Sequence, residues 1–156
     1  MVHFSSLLEL LNTEINENII INGSINYKRL KSENFAEVID LLGGTGYLNV
    51  NGFDGVQNDL RNPNRIVGEG DKFSYNYNLY ANTISGYASA LFKYNKIDFY
   101  LSANVSSTDY QREGFYENEA NAGNSFGKGE KLTFTGFGAK GGLTYKITGK
   151  HLLDVN

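Results

Sequence analysis

Carboxylate and amide side chains are concentrated in two glycine-rich stretches, where they could bind a cation or act as paired acids. The first stretch contains Asp54, Asn58, Asp59, Glu69 and Asp71. A calcium loop of the EF-hand type needs oxygen ligands at fixed positions around a glycine, and these residues do not have that spacing. We therefore expect them to be solvated rather than bound to an ion.

Three glutamates in the second stretch, Glu113, Glu117 and Glu119, are close enough in sequence to suggest an acid–base pair. Such a pair needs a fixed separation and a perturbed pKa, and a flexible loop provides neither. His3 and His151 lie near opposite ends of the chain, with no cysteine or aspartate directly beside them. The sequence therefore predicts no enzyme activity, no metal site and no cofactor.

Residues 136–141, with the sequence GFGAKG, formally match the G-x-G-x-x-G motif of dinucleotide-binding proteins. That motif works where a strand ends and a helix begins at the glycines. Here the residues lie inside one segment of alternating polarity. We therefore expect these glycines to allow curvature or a close approach of the backbone, not to bind a nucleotide.

The clearest structural signal is a hairpin between Ile84 and Ser107. With Asn95 and Lys96 as a two-residue turn, apolar or small residues face one another on the two strands. These pairs are Tyr94 with Ile97, Phe92 with Phe99, Ala90 with Leu101, Ala88 with Ala103, and Gly86 with Val105. Most residues between them are polar or carry a polar tip, and this period of two indicates two strands that share one apolar face.

The composition restricts the class of protein. The 156 residues carry a net charge of −3 with 20% charged residues, so no basic surface indicates a nucleic-acid partner. Cysteine is absent, which excludes disulfides and thiolate metal sites. The chain has 18 glycines, one proline and 13% aromatic residues, a mixture that favours strands joined by turns. No apolar run is long enough for a membrane helix, so any bilayer contact would be made by strands.

Alternation of apolar and polar residues predicts six strands along the chain. They cover residues 4–14, 19–28, 73–94, 97–107 and 137–147, followed by the segment around Leu153. In the third strand the apolar phase slips by one residue, and we expect a bulge between Ala81 and Thr83. Tight turns near residues 17, 95 and 149 alternate with two long excursions.

The first excursion, from Lys31 to Asp71, opens with a predicted two-turn helix. Asn34 is a suitable N-cap, Glu37 lies three residues further on, and Gly43 would end the helix. The apolar face of this helix would contain Phe35, Val38, Ile39 and Leu42. The rest of this excursion and the second one, from Thr108 to Glu130, are rich in Gly and Asn and are predicted to be irregular loops.

Short turns at one end of the strands and long loops at the other are typical of outer-membrane β-barrels, whose strands alternate over about 10 residues. A soluble β-sandwich usually has loops of similar length at both ends and a core of large side chains. The apolar face here instead includes Gly86, Ala88, Ala90 and Ala103. The predicted fold class is therefore all-β: an antiparallel transmembrane β-barrel segment of about six strands, with long extracellular loops and one short loop helix.

The polar face of such a barrel would line the lumen. The residues predicted to face the lumen are Lys93, Asp98, Tyr100, Ser102, Asn104, Ser106, Lys140, Thr144 and Lys146. We expect most of them to hydrate the lumen or to hydrogen-bond a plug, because ligand contacts lie more often on loops. The regions expected to contact substrate are therefore Tyr47 to Asp71 and Tyr110 to Gly129.

The strand and loop segments include DFYLSANVSSTDYQREG (residues 98–114), NSFGKGEKL (124–132), GGLTYKITGKHLL (141–153) and SINYKRLKSENFAEVIDLLGG (24–44). These segments resemble the β-barrel region of TonB-dependent receptors of the Bacteroidetes type. The resemblance implies that residues 1–156 are a partial barrel domain of an active importer in the cell outer membrane, without the plug, the signal sequence and the closing strands.

The resemblance also implies the partners of the complete protein. They are outer-membrane lipid, the plug domain, the remaining barrel strands, a TonB-type energy transducer, and a small-molecule or oligomeric nutrient such as a siderophore or a glycan. The first residues do not have the pattern of a secretion signal, and the last ones stop within a strand pattern, so we expect a fragment of a longer protein. Two alternatives stay open: a small complete outer-membrane barrel that acts as an adhesin or pore, and a soluble β-sandwich binding module.

Overall fold

The computed structural model describes residues 1–156, and most of its regular structure is β. The strands are β1 (Val2–Asn16), β2 (Ile19–Glu37), β3 (Tyr47–Leu48), β4 (Ile66–Val67), β5 (Lys72–Lys93), β6 (Ile97–Gly114), β7 (Gly127–Lys128), β8 (Leu132–Thr148) and β9 (His151–Val155). The six predicted strands correspond to β1, β2, β5, β6, β8 and β9, and the all-β class is confirmed.

The long strands form one sheet in which spatial order follows chain order. The order is β1-β2-β5-β6-β8-β9, and the short β7 pairs with β6. Neighbouring strands are antiparallel: tight turns join β1 to β2, β5 to β6 and β8 to β9, and the two long excursions join β2 to β5 and β6 to β8. The short strands β3 and β4 pair in a separate two-stranded sheet. The sheet is open, with β1 and β9 as its two edges.

The chain divides into two compact units. The turn unit, which contains the three tight turns, consists of Ser5–Arg29, Asn82–Thr108 and Thr133–Asn156. The loop unit, which contains both long excursions, consists of Met1–Phe4, Leu30–Ala81 and Asp109–Leu132.

Contacts in the turn unit confirm the predicted register of the hairpin formed by β5 and β6. The Tyr94 N–H donates to the Ile97 carbonyl oxygen over 3.0 Å. The Phe92 and Phe99 rings stack with their centroids 4.4 Å apart. The apolar residues paired by the sequence pattern therefore lie opposite one another on one face of the sheet.

The apolar face of the turn unit is exposed. Leu101 retains 60% of its accessible surface and Phe137 retains 90%. Near the middle of this face, small side chains from four neighbouring strands leave a shallow depression of about 630 Å³. Its apolar lining consists of Ile21, Ala88, Ala90, Leu101, Ala103, Ala139 and Gly141.

The bulge predicted between Ala81 and Thr83 is wrong. The Phe115 N–H donates to the Asn76 carbonyl oxygen over 2.9 Å. Asn76 lies 18 residues before Tyr94, and Phe115 lies 18 residues after Ile97, so the register of β5 and β6 is the same here as at the hairpin turn. A bulge between these points would have changed the offset by one residue. Along β5 the apolar residues therefore change from odd to even positions because the residue types change, and not because an extra residue is inserted.

The helix predicted at 34–42 is also wrong, because β2 continues to Glu37. The Val38 N–H then donates to the Asp71 carbonyl oxygen over 3.0 Å, and the Gly70 N–H donates to the Val38 carbonyl oxygen over 2.8 Å. A helix of about two turns is marginal on its own, so backbone pairing with a distant segment overrides the local helix signal.

Buried side chains form a small core in the loop unit. Val38 and Val67 are buried, and Asn49 is only 2% exposed. The Asn49 Oδ1 accepts hydrogen bonds from Asn58 Nδ2 at 3.1 Å and from the Ser74 N–H at 2.8 Å. Polar contacts therefore order the first excursion even where its sequence has no regular pattern.

Helical structure is confined to a 3-10 turn at Glu119–Asn121 in the second excursion. The Asn118 side chain caps this turn by accepting a hydrogen bond from the Ala120 N–H over 3.0 Å. The structure contains no helix with the length and hydrophobicity needed to cross a membrane.

Candidate functional site

Two of the predicted polar residues form an ion pair close to the tight turns. Lys146 Nζ lies 2.7 Å from Asp98 Oδ1 and also donates to the Tyr94 carbonyl oxygen over 3.0 Å. Asp98 belongs to β6 and Lys146 belongs to β8, so the pair joins neighbouring strands. Both side chains are partly exposed, and such a pair usually stabilises a protein by no more than about 1 kcal/mol.

Tyr100 and Ser102 of β6 lie against the backbone of β8. A methyl group placed on Gly142 would meet the Tyr100 ring at 2.5 Å, so the ring needs a glycine at that position. The Ser102 hydroxyl lies 3.5 Å from the carbonyl oxygen of Lys140. The contribution of Lys140 to this contact is its backbone, and not its ammonium group.

Asn104 and Ser106 continue the same row along β6. A methyl group on Gly138 would lie 3.0 Å from Asn104 Nδ2, and one on Gly136 would lie 3.4 Å from Ser106 Oγ. Glycine in a strand often marks such a close approach. A side chain of β6 therefore lies over each of these two glycines. The predicted close approach of another backbone is found instead at Gly141, where a methyl group would lie 3.3 Å from the Tyr100 carbonyl oxygen.

Two further predicted polar residues, Thr144 and Lys93, make hydrogen bonds outside the ion pair. Thr144 Oγ1 donates to Asp154 Oδ1 of β9 over 2.6 Å. Lys93 ends β5, and its carbonyl oxygen accepts a hydrogen bond from the Asn18 side chain. The nine predicted residues thus form a series of local contacts between strands, rather than one cluster that could move a proton or bind a metal.

The edge strand β1 carries leucines on both faces. Leu11 lies on the apolar side, with its Cβ 3.8 Å from a methyl group placed on Gly23. Asn12 lies on the polar side, where it donates to Asn22. Leu10, which is 77% exposed, is two residues from Asn12 and shares its face. Apolar surface therefore extends to the polar side of the sheet at this edge.

Reciprocal hydrogen bonds join the two excursions within the loop unit. The Gln57 N–H donates to Glu119 Oε2 over 2.7 Å, and the Glu119 N–H donates to the Gln57 carbonyl oxygen over 3.0 Å. The Leu60 N–H donates to the Glu117 carbonyl oxygen over 2.7 Å, and Asp59 Oδ1 accepts from the Glu117 N–H over 3.0 Å. The expectation of a flexible loop around these glutamates is therefore wrong.

Other carboxylates of the excursions also accept local hydrogen bonds. Asp71 pairs with Arg65 over 3.0 Å, and Glu113 accepts from the Tyr80 hydroxyl over 2.7 Å. Asp54 accepts from the N–H two residues further along the chain over 3.1 Å. No group of three or more His, Cys, Asp or Glu side chains is close enough to hold a metal ion.

Besides Lys31, whose pKa is raised by its hydrogen bond to Glu33, two titratable groups of the loop unit have shifted pKa values. The hydrogen bond from Lys31 Nζ to Glu33 Oε1, 2.6 Å long, lowers the pKa of the Glu33 carboxyl. Burial raises the pKa of the Tyr116 phenol, whose hydroxyl donates to the Lys72 carbonyl oxygen over 2.7 Å. Both shifts keep these groups in their ordinary charge state at neutral pH.

The second excursion folds back onto the end of β6 at Gly114. The Arg112 guanidinium donates to the Ser125 carbonyl oxygen over 2.9 Å, and it also lies 4.8 Å from the centre of the Tyr77 ring. A methyl group on Gly114 would lie within 1.7 Å of the same Ser125 oxygen. Only glycine leaves room for this contact.

Gly114→Ala is therefore expected to displace Ser125 and to destabilise the second excursion by about 1–3 kcal/mol, the usual cost of overpacking. Amide hydrogen exchange of the detergent-folded chain should show faster exchange in residues 115–126. Gly129→Ala is the matched control, because its added methyl group would lie at an ordinary 3.6 Å from the Arg112 carbonyl oxygen. Equal exchange in both variants would contradict the expected effect.

The contacts that join the two excursions are the part of the site that sequence reasoning missed. Gln57 and Glu119 are separated by 62 positions in the chain, and no spacing rule links residues so far apart. The local signal is Asn118, a preferred N-cap residue directly before Glu119.

Comparison with protein-family models and with curated proteins finds no match to this chain.

Proposed function

We propose that this chain forms part of an outer-membrane β-barrel, similar to TonB-dependent receptors, that takes up a nutrient. The observation that carries the proposal is the exposed apolar face of the turn unit, on strands whose other face is polar. Leu101 and Val105 are 60% and 53% exposed on this face. Large apolar surfaces need a cover, and the cover that suits alternate residues of a barrel strand is lipid.

Strand length supports this reading. A tilted transmembrane strand needs about 9–11 residues to cross the hydrocarbon core. Within the turn unit, β5 provides Asn82–Lys93 and β6 provides Ile97–Thr108. Each segment is therefore long enough to cross a bilayer, and the loop unit needs no contact with hydrocarbon.

The open sheet favours a segment of a larger barrel over the two alternatives. A sheet with free edges leaves unpaired N–H and C=O groups, which are costly in hydrocarbon. We infer that further strands pair with β1 and β9 and close the barrel. A soluble β-sandwich would bury the face that includes Leu101 and Phe137, and the exposure of these residues argues against it.

In this proposal the polar residues from Lys93 to Lys146 line the lumen and contact water or a plug domain. Substrate contacts lie in the loop unit, within Tyr47 to Asp71 and Tyr110 to Gly129. Energy from a TonB-type transducer reaches the barrel through the complete protein. The nutrient is a small molecule or an oligomer, and this chain carries out no enzyme chemistry.

Site-directed spin labelling tests the register of the two faces. The 156 residues contain no cysteine, so this part of the barrel adds no labelled site besides the one introduced. In the complete barrel within lipid, labels at Ala90 and Leu101 should respond to oxygen, which dissolves in the bilayer. Labels at Ser102 and Asn104 should respond to a water-soluble nickel chelate. A uniform response at all four positions would overturn the proposal.

Energy coupling has a separate test in cells. Cells that depend on the complete protein for growth on its nutrient should stop growing when the energy transducer is deleted. Unchanged growth would leave a passive pore as the function of the barrel and would remove active transport from the proposal.

A further inference from the structure

The loop unit contains an open cavity of about 600 Å³ where the first excursion leaves β2. This volume lies within the roughly 300–1,000 Å³ of typical small-molecule sites. The walls are mostly apolar and come from the segment that follows β2, from β3 and from the start of β5. The apolar lining residues are Val38, Ile39, Leu41, Leu42, Tyr47 and Phe73.

Backbone pairing and ring packing hold these walls in place. Val38 is fixed by its two hydrogen bonds to Gly70 and Asp71. The Tyr47 and Phe73 rings meet edge to face, with their centroids 5.4 Å apart, which is a favourable arrangement for two aromatic rings. The cavity therefore has a formed apolar wall before any ligand arrives.

Leu42 stands at the mouth of the cavity in a costly conformation. Its φ angle is +52°, a left-handed value that is rare for a bulky residue, and its side chain is 91% exposed. The Leu42 N–H donates to Asp40 Oδ1 over 2.7 Å, and the Leu41 N–H donates to Glu69 Oε1 over 3.2 Å. Two carboxylates thus hold an apolar side chain in water, and such strain is often found at functional sites.

The charge of the lining is all of one sign. Glu37 and Asp40 are the charged residues of the lining, and both are carboxylates. The faces of the Tyr47 and Phe73 rings also attract cations. The walls therefore suit an apolar group, and the mouth suits a positive charge attached to it.

We propose that this cavity binds a small organic cation that carries an aromatic or aliphatic group, such as an arylalkylammonium ion. Its apolar part packs between Leu42 and the aromatic pair, and its cationic part faces Glu37 and Asp40. The inference depends only on residues of the loop unit, and it holds whether or not the chain belongs to a transporter.

The test is a binding measurement on the full chain folded in an uncharged detergent. The probe is 4-fluorophenethylammonium, followed by fluorine NMR, and the comparison probe is the anion 3-(4-fluorophenyl)propanoate. The cation is expected to bind, and the anion is expected to bind at least about threefold more weakly, as exposed charge pairs allow. Equal binding of the two probes, or no binding of the cation at millimolar concentration, would overturn the proposal.

Two variants locate the binding. Asp40→Asn removes the negative charge but keeps an oxygen that can accept from the Leu42 N–H, so it should weaken cation binding without opening the turn. Asp54→Asn is the matched control, because Asp54 makes the same kind of turn contact to Val56 over 3.1 Å and does not line the cavity. Tyr47→Ala should weaken both probes. Unchanged cation binding in Tyr47→Ala, or equal losses in the two aspartate variants, would overturn the proposal.

Discussion

Without detergent or lipid, the purified chain is expected to associate into large aggregates instead of forming a monomer. The apolar face of the turn unit leaves Leu101, Val105 and Phe137 exposed to water, and exposed patches of this kind drive association. The edge strands β1 and β9 add unpaired backbone groups that can pair with another copy of the sheet. Both features act in the same direction, so the effect is expected to be nearly complete.

Gel filtration with light scattering measures this association directly. The chain should elute in the void volume or be lost from solution in plain buffer, and it should be recovered as a folded species in detergent. The detergent sample is the control, because it differs only in a cover for the apolar face. A sharp monomer peak in plain buffer, with cooperative thermal unfolding, would contradict the proposed membrane location and favour a soluble binding module.

Leu101→Arg is expected to destabilise the complete barrel in lipid by about 2–4 kcal/mol, the cost of a cation on the lipid face near the bilayer midplane. Leu101 lies in the middle of the segment that β6 contributes to the turn unit. Its neighbour across the strands is Gly141, where a methyl group would lie 3.1 Å from Leu101 Cδ2. The residues that line the depression around Leu101 include no acidic side chain that could pair with an arginine.

Asn104→Arg is the matched control, because it places the same cation on the same strand but on the polar face. It should cost much less than Leu101→Arg, since the proposed lumen is wet. Urea titrations of the barrel in lipid vesicles measure both free energies of unfolding. Equal losses of stability would show that the two faces do not meet lipid and water.

The hairpin was predictable because its signal is redundant. The alternation from Gly86 to Val105 repeats on both strands, and a shift of one residue would have reversed every side chain. The register then follows from the turn at Asn95 and Lys96, and the contact between Phe92 and Phe99 confirms it. Regular strands therefore carry most of what the sequence can reveal about this fold.

The helix prediction failed because a local signal competed with a distant partner. Residues 34–42 have a cap and an apolar stripe, but the Val38 backbone pairs with Gly70 and Asp71 instead. The bulge prediction failed for a different reason, which is the slip of the apolar phase in β5. In the sequence of a single strand, an inserted residue and a change in which positions are apolar give the same pattern. Only the backbone pairing of β5 with β6 distinguishes the two.

The candidate site was only partly predictable. The alternation of side chains along β6 placed Asp98, Tyr100 and Ser102 on one face. It could not indicate that Lys146 of the neighbouring strand β8 would reach Asp98 on the diagonal. In the loop unit, the left-handed backbone of Leu42 and the buried Asn49 carry no sequence signal. These features depend on contacts between segments that are far apart in the chain.

The reciprocal hydrogen bonds between Gln57 and Glu119 have a consequence for how these loops can be exchanged. Each excursion supplies a backbone acceptor or a carboxylate that the other one needs, so a graft of either loop into a related protein would arrive without its partner. The two excursions should therefore be inherited together, and Glu119 should be retained with the first excursion, because its carboxylate accepts the Gln57 N–H while Gln57 contributes only its backbone. Engineering a new ligand specificity would require transplanting both excursions as one module.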